Sequence, residues 1–314
     1  MEIYEHRQGS KVHQHWLLSF TVLVLIVFGT LAILQTLALG LIPVLFDIPL
    51  DQIQDLLMGE LDHPKGRMAF LWIQGLGGGL GFLLGGWLFI RFVDKKTLKW
   101  KQQLSCTKFK PILILFPLLM GFVLFNSLFV YLNMNMELPQ AFSELEAAMR
   151  AKEDQLMQLT QYLTDFENLT EMLLGVLVIA VLAGIGEEYL FRGIIQPKMH
   201  RYTGNSHLGI WITAFIFSAI HFQFYGFVPR LLLGALFGYL YLFSGSLVYP
   251  MIAHILNNGI TVVLVYLNKL NLLEFDLEEP GELYWHYIFI GLIVFVLSMG
   301  FFVKEFKAED GKMA

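Results

Sequence analysis

The feature that most constrains this chain is its series of long apolar runs. Stretches near 16–42, 69–92, 111–132, 172–195, 207–222, 229–244, 247–267 and 284–303 reach or approach the ~20 apolar residues that cross a bilayer as a helix. Backbone N–H and C=O groups in lipid must find partners within the segment, so runs of this length specify helices. The expected fold is all-α and polytopic, with about eight transmembrane helices. Composition agrees, because 56% of positions are hydrophobic and only 15% charged, which excludes an ordinary soluble domain. No basic patch large enough for nucleic acid is present, and the lone cysteine, Cys106, excludes an intrachain disulfide and a cysteine-based zinc site. The run from Trp16 onward is too long for a signal-peptide core and predicts a retained first helix.

Loop charge predicts orientation. Lys95, Lys96, Lys99, Lys101, Lys108 and Lys110 crowd one loop and mark it cytoplasmic. Residues 47–67 (Asp47, Asp51, Asp55, Glu60, Asp62) and 267–283 (Glu274, Asp276, Glu278, Glu279, Glu282) are acidic and fall outside. Lys198 and Arg201, and the tail lysines Lys304, Lys307 and Lys312, then fall inside, with both termini cytoplasmic. A multi-pass protein of the plasma membrane, its partner the lipid bilayer, is expected. It should form one integrated domain: residues 1–171 supply three membrane helices and an amphipathic helix, 172–266 the polar centre, and 267–314 an outer loop, a last membrane helix and a tail.

From Pro139 onward, Phe142, Leu145, Met149, Leu156, Leu159, Leu163 and Phe166 recur at helical steps amid charges. The pattern predicts an amphipathic helix on the outer side, lying in the interface or else covering a cavity or a partner. Asn168-Leu169-Thr170 matches a glycosylation sequon, a pattern too common to carry weight. Gly75-Leu76-Gly77-Gly78-Gly79 lacks the strand and the lysine of a phosphate loop, and the four-residue spacing of Gly77, Gly81 and Gly85 predicts close helix packing, as does that of Gly234 and Gly238.

Ionisable residues inside apolar helices are expensive and mark working sites. Glu187, Glu188 and Arg192 lie near one end of the fourth run. Adjacent helical residues point ~100° apart, so the two glutamates cannot share a face, whereas Glu188 and Arg192, four apart, can pair. A structural Glu188–Arg192 pair would hold Glu187 toward a polar cavity. Downstream, Phe217 with His221 and His254 with Asn258 repeat the four-residue step. Pro250, one turn before His254, would either kink its helix and admit water or be tolerated.

Glu187 and His221 can together hold and deprotonate a water, and His254 and Asn258 can donate to an oxyanion. Those are the parts for hydrolysing an amide, with no serine or cysteine at a nucleophile position and no cofactor required. A peptide or protein substrate, which could itself be membrane-associated, is the implied partner. Zinc is an alternative, since Glu187, His221 and His254 could supply a two-His, one-carboxylate set, although no His-Glu-x-x-His motif supports it. A proton-coupled transporter would also use buried carboxylates and histidines, but no inverted repeat is visible.

Glu187-Glu188-x-x-x-Arg192, Phe217-x-x-x-His221 and His254-x-x-x-Asn258, in this order on successive apolar runs, resemble the three motifs of the CPBP family. That family holds the type II CAAX prenyl proteases and bacterial proteins linked to bacteriocin processing and self-immunity. The resemblance spans about 172–266 and implies an intramembrane endopeptidase with an eight-helix core, described as a glutamic protease and, in older descriptions, as a metalloprotease. In the glutamic picture the residue matching Glu187 activates water with the one matching His221. Those matching His254 and Asn258 form the oxyanion site, and Glu188, Arg192 and Phe217 support them. A non-catalytic immunity or scaffold protein is the rival from within the same resemblance.

Overall fold

The computed structural model describes residues 4–6, 15–105, 107–273 and 283–310. Cys106, the acidic residues from Glu274 to Glu282, Lys312 and the side chain of Lys307 lie outside the described residues. In order, the chain forms α1 (Trp16–Phe46), α2 (Gly66–Val93), α3 (Phe109–Met134), α4 (Ser143–Thr164), α5 (Leu169–Thr203), α6 (Ser206–Ala219), α7 (Phe227–Ser244), α8 (Val248–Lys269) and α9 (Trp285–Asp310). Two short strands, β1 (Tyr4–His6) and β2 (Lys96–Leu98), pair antiparallel.

Among the described residues, seven helices are long and apolar enough to cross a membrane: α1, α2, α3, α5, α7, α8 and the Trp285–Phe306 part of α9. The protein is therefore an all-α, multi-pass membrane protein, with one correction to the expected spans. The fifth, expected at 207–222, is the 14-residue α6. At ~1.5 Å per residue it is roughly 21 Å long, short of the ~30 Å hydrocarbon core.

The chain divides into two compact units, one of residues 1–102, 158–194 and 254–275, the other of 103–157, 195–253 and 276–314. In the first unit the glycine stripe of α2 lies against α1. A Cβ on Gly81 would stand 2.5 Å from the Leu31 side chain, and one on Gly85 3.0 Å from the Val27 backbone. On the other face of α2, a Cβ on Gly79 would meet Leu182 of α5 at 2.7 Å. The phosphate-loop alternative is thus displaced by helix packing.

The sequon asparagine has a structural task in this unit. Asn168 caps α5, its side chain accepting from the Glu171 amide at 3.0 Å while its own amide donates to the Glu171 carboxylate at 3.3 Å. Glu171 also receives Arg67 at 2.6 Å, which ties the start of α5 to the start of α2.

The amphipathic helix is α4, and its apolar stripe splits along its length. Phe142, just before the helix, and Leu145, in its first turn, are both 53% exposed. Leu159, Tyr162 and Leu163, toward its end, pack against the cluster of Ile42, Leu56 and Phe70.

In the second unit α7 packs on α6 where Gly234 approaches Phe217 and Ala214, and Gly238 approaches Ile210. The start of α8 is pinned by Gln103, whose side-chain oxygen accepts from the Leu247 amide at 2.9 Å. Tyr249, fully buried, accepts from the Lys108 amide at 2.8 Å. Pro250 falls in this first helical turn, where backbone N–H groups have no intrahelical acceptor, so it deletes no helix hydrogen bond.

Candidate active site

The polar centre of the first unit is built on α5 and α8. Helix α5 departs from regular α geometry on both sides of the glutamates, with π turns at Val176–Leu182 and Phe191–Ile195. Such turns recur at functional positions, and Arg192 sits within the second. Glycines bring the neighbouring backbones close at this level. A Cβ on Gly184 would meet Ile255 of α8 at 2.9 Å, and one on Gly186 would overlap the Gly79 carbonyl of α2.

Glu188 and Arg192 form the i,i+4 pair at 2.7 Å, with both side chains fully buried. The same oxygen, Glu188 Oε1, lies 2.9 Å from His254 Nδ1. A carboxylate can only accept, so His254 Nδ1 carries the hydrogen. Glu187, the neighbouring carboxylate, is 14% exposed and its Oε2 lies 4.0 Å from His254 Nε2. One turn along α8, Asn258 donates from Nδ2 to the Ile179 carbonyl at 3.0 Å, and its Oδ1 accepts from Asn257 at 3.1 Å. An amide nitrogen carries two hydrogens, so Asn258 keeps a second for another acceptor.

The structure thus brings Glu187, Glu188, Arg192 and His254 together in the first unit, with Asn258 one turn further along α8 against the Ile179 carbonyl. Phe217 and His221 belong to the second. His221 was expected inside a membrane helix, but α6 ends at Ala219 and His221 stands in the turn beyond it, its amide bonded to the Ser218 carbonyl at 3.3 Å. The four-residue step to Phe217 still operates there. His221 Nδ1 lies 2.7 Å from the Phe217 carbonyl, and the two rings meet edge to face at 5.2 Å. A carbonyl only accepts, so Nδ1 is the protonated nitrogen, and in a neutral ring Nε2 is the acceptor.

Sequence reasoning missed two kinds of residue. The Glu188–His254 bond joins elements 66 positions apart, with no local signal. Asn133, buried near the end of α3, brackets the turn after His221 by donating to the Phe224 carbonyl at 3.2 Å and accepting from the Val228 amide at 2.9 Å. A polar side chain in an apolar run was its available signal.

A cavity of about 850 Å³ in the first unit is walled by Leu76, Leu83, Trp87, Trp100 and Tyr189. Glu187 and Glu188 are not among its lining residues, so it is an apolar groove distinct from the polar centre. As for a metal, no group of three or more His, Cys, Asp or Glu side chains among the described residues is arranged to hold one.

Fold and site together define a polytopic helical membrane protein with a buried Glu–Arg–His centre and a second carboxylate at its edge. Residues 169–260 match the family model of the type II CAAX prenyl endopeptidases, Rce1-like, so the resemblance carried by the three motifs holds over the segment that contains them. An uncharacterized protein of Bacillus subtilis (strain 168), YpbD, is 29% identical over 89 residues, which cover 27% of this chain. The chain spans 42% of that relative's length. No solved structure matches.

Proposed function

We propose that the protein is an intramembrane endopeptidase in which Glu187, with His221, activates the water that attacks a peptide bond. The observation that carries this assignment is the double engagement of Glu188 by Arg192 and His254. One glutamate is committed to structure, and the chemistry falls to its neighbour at the edge of the buried centre.

Glu187 takes a proton from water and the resulting hydroxide attacks the carbonyl carbon. His221, holding its Nδ1–H on Phe217, accepts from the same water at Nε2 and fixes its direction. As the carbonyl π pair moves to oxygen, the oxyanion is held by the second N–H of Asn258 and by His254 Nε2–H. Because Nδ1–H is already engaged by Glu188, Nε2 carries a hydrogen only when the ring is a cation. In that form His254 and Arg192 balance Glu187 and Glu188 charge for charge. Collapse breaks the C–N bond, and the proton on Glu187 passes to the leaving amine. The matched family's description places C-terminally prenylated peptides among the first substrates to test, beside unmodified membrane-associated peptides.

The test is cleavage of a peptide library by the purified protein in detergent, with and without a strong zinc chelator, beside Glu187→Gln. The expected result is cleavage that survives chelation and falls by about 10²–10⁴ in the variant. Activity lost to the chelator and restored by zinc would overturn the glutamic route. No cleavage of any peptide by the wild type would favour the scaffold alternative.

A further inference from the structure

We infer that Glu153, on the amphipathic helix α4, is a positioning residue for His221: its carboxylate clamps the turn that follows the histidine. This assignment rests on the peptidase function proposed above.

Immediately after His221 the backbone enters a conformation that side chains resist. Phe222 has φ of +53° and its ring is 77% exposed, so it gains little packing in return. A non-glycine residue held in the left-handed region is strained and persists only where its surroundings over-determine it. The surroundings here are polar and specific.

Glu153 uses both carboxylate oxygens on this turn, accepting from Gln223 Nε2 at 3.1 Å and from the Tyr225 amide at 3.3 Å. Gln223 in turn accepts from Arg230 at 2.5 Å, which links the turn to the first residues of α7. The Tyr225 ring is buried beneath Arg150, whose guanidinium lies 4.5 Å from the ring centre, and Glu146 holds that guanidinium at 2.7 Å. The Leu138 amide and Arg150 together keep the Glu146 carboxyl below its ordinary range. Asn133 holds the Phe224 carbonyl and the Val228 amide, and Ser218 donates to the Phe227 carbonyl at 2.7 Å.

The turn is therefore gripped by α4 through Glu153 and by α3 through Asn133. His221 has its Nδ1 on the Phe217 carbonyl, and its backbone leads directly into the turn that Glu153 holds, so the placement of that turn bears on the placement of the ring. The amphipathic pattern gives the helix an apolar stripe, while its function at this point lies in one carboxylate on the other residues.

The experiment compares wild type with Glu153→Ala, Glu153→Gln and the neighbouring exposed Asp154→Ala. Two quantities are measured, the steady-state constants for a cleaved peptide and the amide hydrogen exchange of residues 222–228. Glu153→Ala should lower kcat by up to about a hundredfold, as small misplacements of catalytic groups do, with KM within about twofold and faster exchange in the turn. Glu153→Gln keeps one acceptor for the Tyr225 amide and should fall between, whereas Asp154→Ala should match wild type. Unchanged exchange or unchanged kcat in Glu153→Ala, beside an active wild type, overturns the clamp alone. A wild type without activity overturns the peptidase function and the catalytic part of this inference, and the exchange data still decide whether Glu153 orders the turn.

Discussion

His254 docks onto α5 through Glu188: its Nδ1 sits 2.9 Å from the Glu188 oxygen that also receives Arg192 at 2.7 Å. One carboxylate oxygen thus joins two helices and neutralises a fully buried guanidinium. Removing one partner of a buried pair strands the other's charge in a medium that cannot solvate it.

Arg192→Ala should therefore destabilise the protein by about 3–5 kcal/mol, and the yield of monodisperse protein after detergent extraction should fall sharply. Glu187→Ala, at a partly exposed carboxylate, should extract at close to wild-type yield. Size-exclusion profiles of fluorescently tagged variants make the comparison, and equal yields would remove the structural role of Arg192.

Glu187→Gln and His221→Ala should each reduce kcat by about 10²–10⁴ while leaving the size-exclusion profile intact. If the two side chains act on one water, the double variant should be scarcely slower than either single variant, because groups that work as a unit are non-additive. Multiplicative losses measured at saturating peptide would show separate roles.

Asn168→Ala should cost about 0.5–2 kcal/mol through loss of the α5 N-cap, and Asn168→Asp should restore most of it. Thermal unfolding in detergent checks both. Asp restores the cap without an acceptor for a glycan, so recovery of stability in that variant assigns the residue to capping.

How much of this was legible in the sequence varies residue by residue. The apolar runs and the Glu188–Arg192 step follow from local geometry, and both helix lengths and the ion pair appear where that geometry puts them. The end of α6 follows only in part: a turn or break between His221 and Pro229 is readable, but hydrophobicity continues through Ile220 and Phe222, and the helix stops earlier, at Ala219, ahead of a left-handed phenylalanine. Pro250 depended on where α8 begins, which Gln103 decides from 144 positions away. The Glu188–His254 bond is a tertiary contact, invisible to any pattern of spacing. Glu153 was one charge among many on α4, and only the two donors that its carboxylate receives from the 223–225 turn distinguish it.

The close approach of α2 and α5 gives a sharp packing test. A methyl group on Gly186 would overlap the Gly79 carbonyl, a backbone atom that cannot rotate away, so Gly186→Ala must push two helices apart beside Glu187. Overpacking of this kind costs about 1–3 kcal/mol. It should lower the unfolding temperature and reduce kcat together, since the displaced segment carries the catalytic carboxylate. Gly40→Ala is the matched control, because a Cβ there meets nothing within 4 Å and the position is exposed on α1. Alanine is favoured over glycine in a helix by about 1 kcal/mol, so this variant should be as stable as wild type or more so, with unchanged activity. Equal behaviour of the two alanine variants would mean that α2 and α5 are not in contact at Gly79 and Gly186.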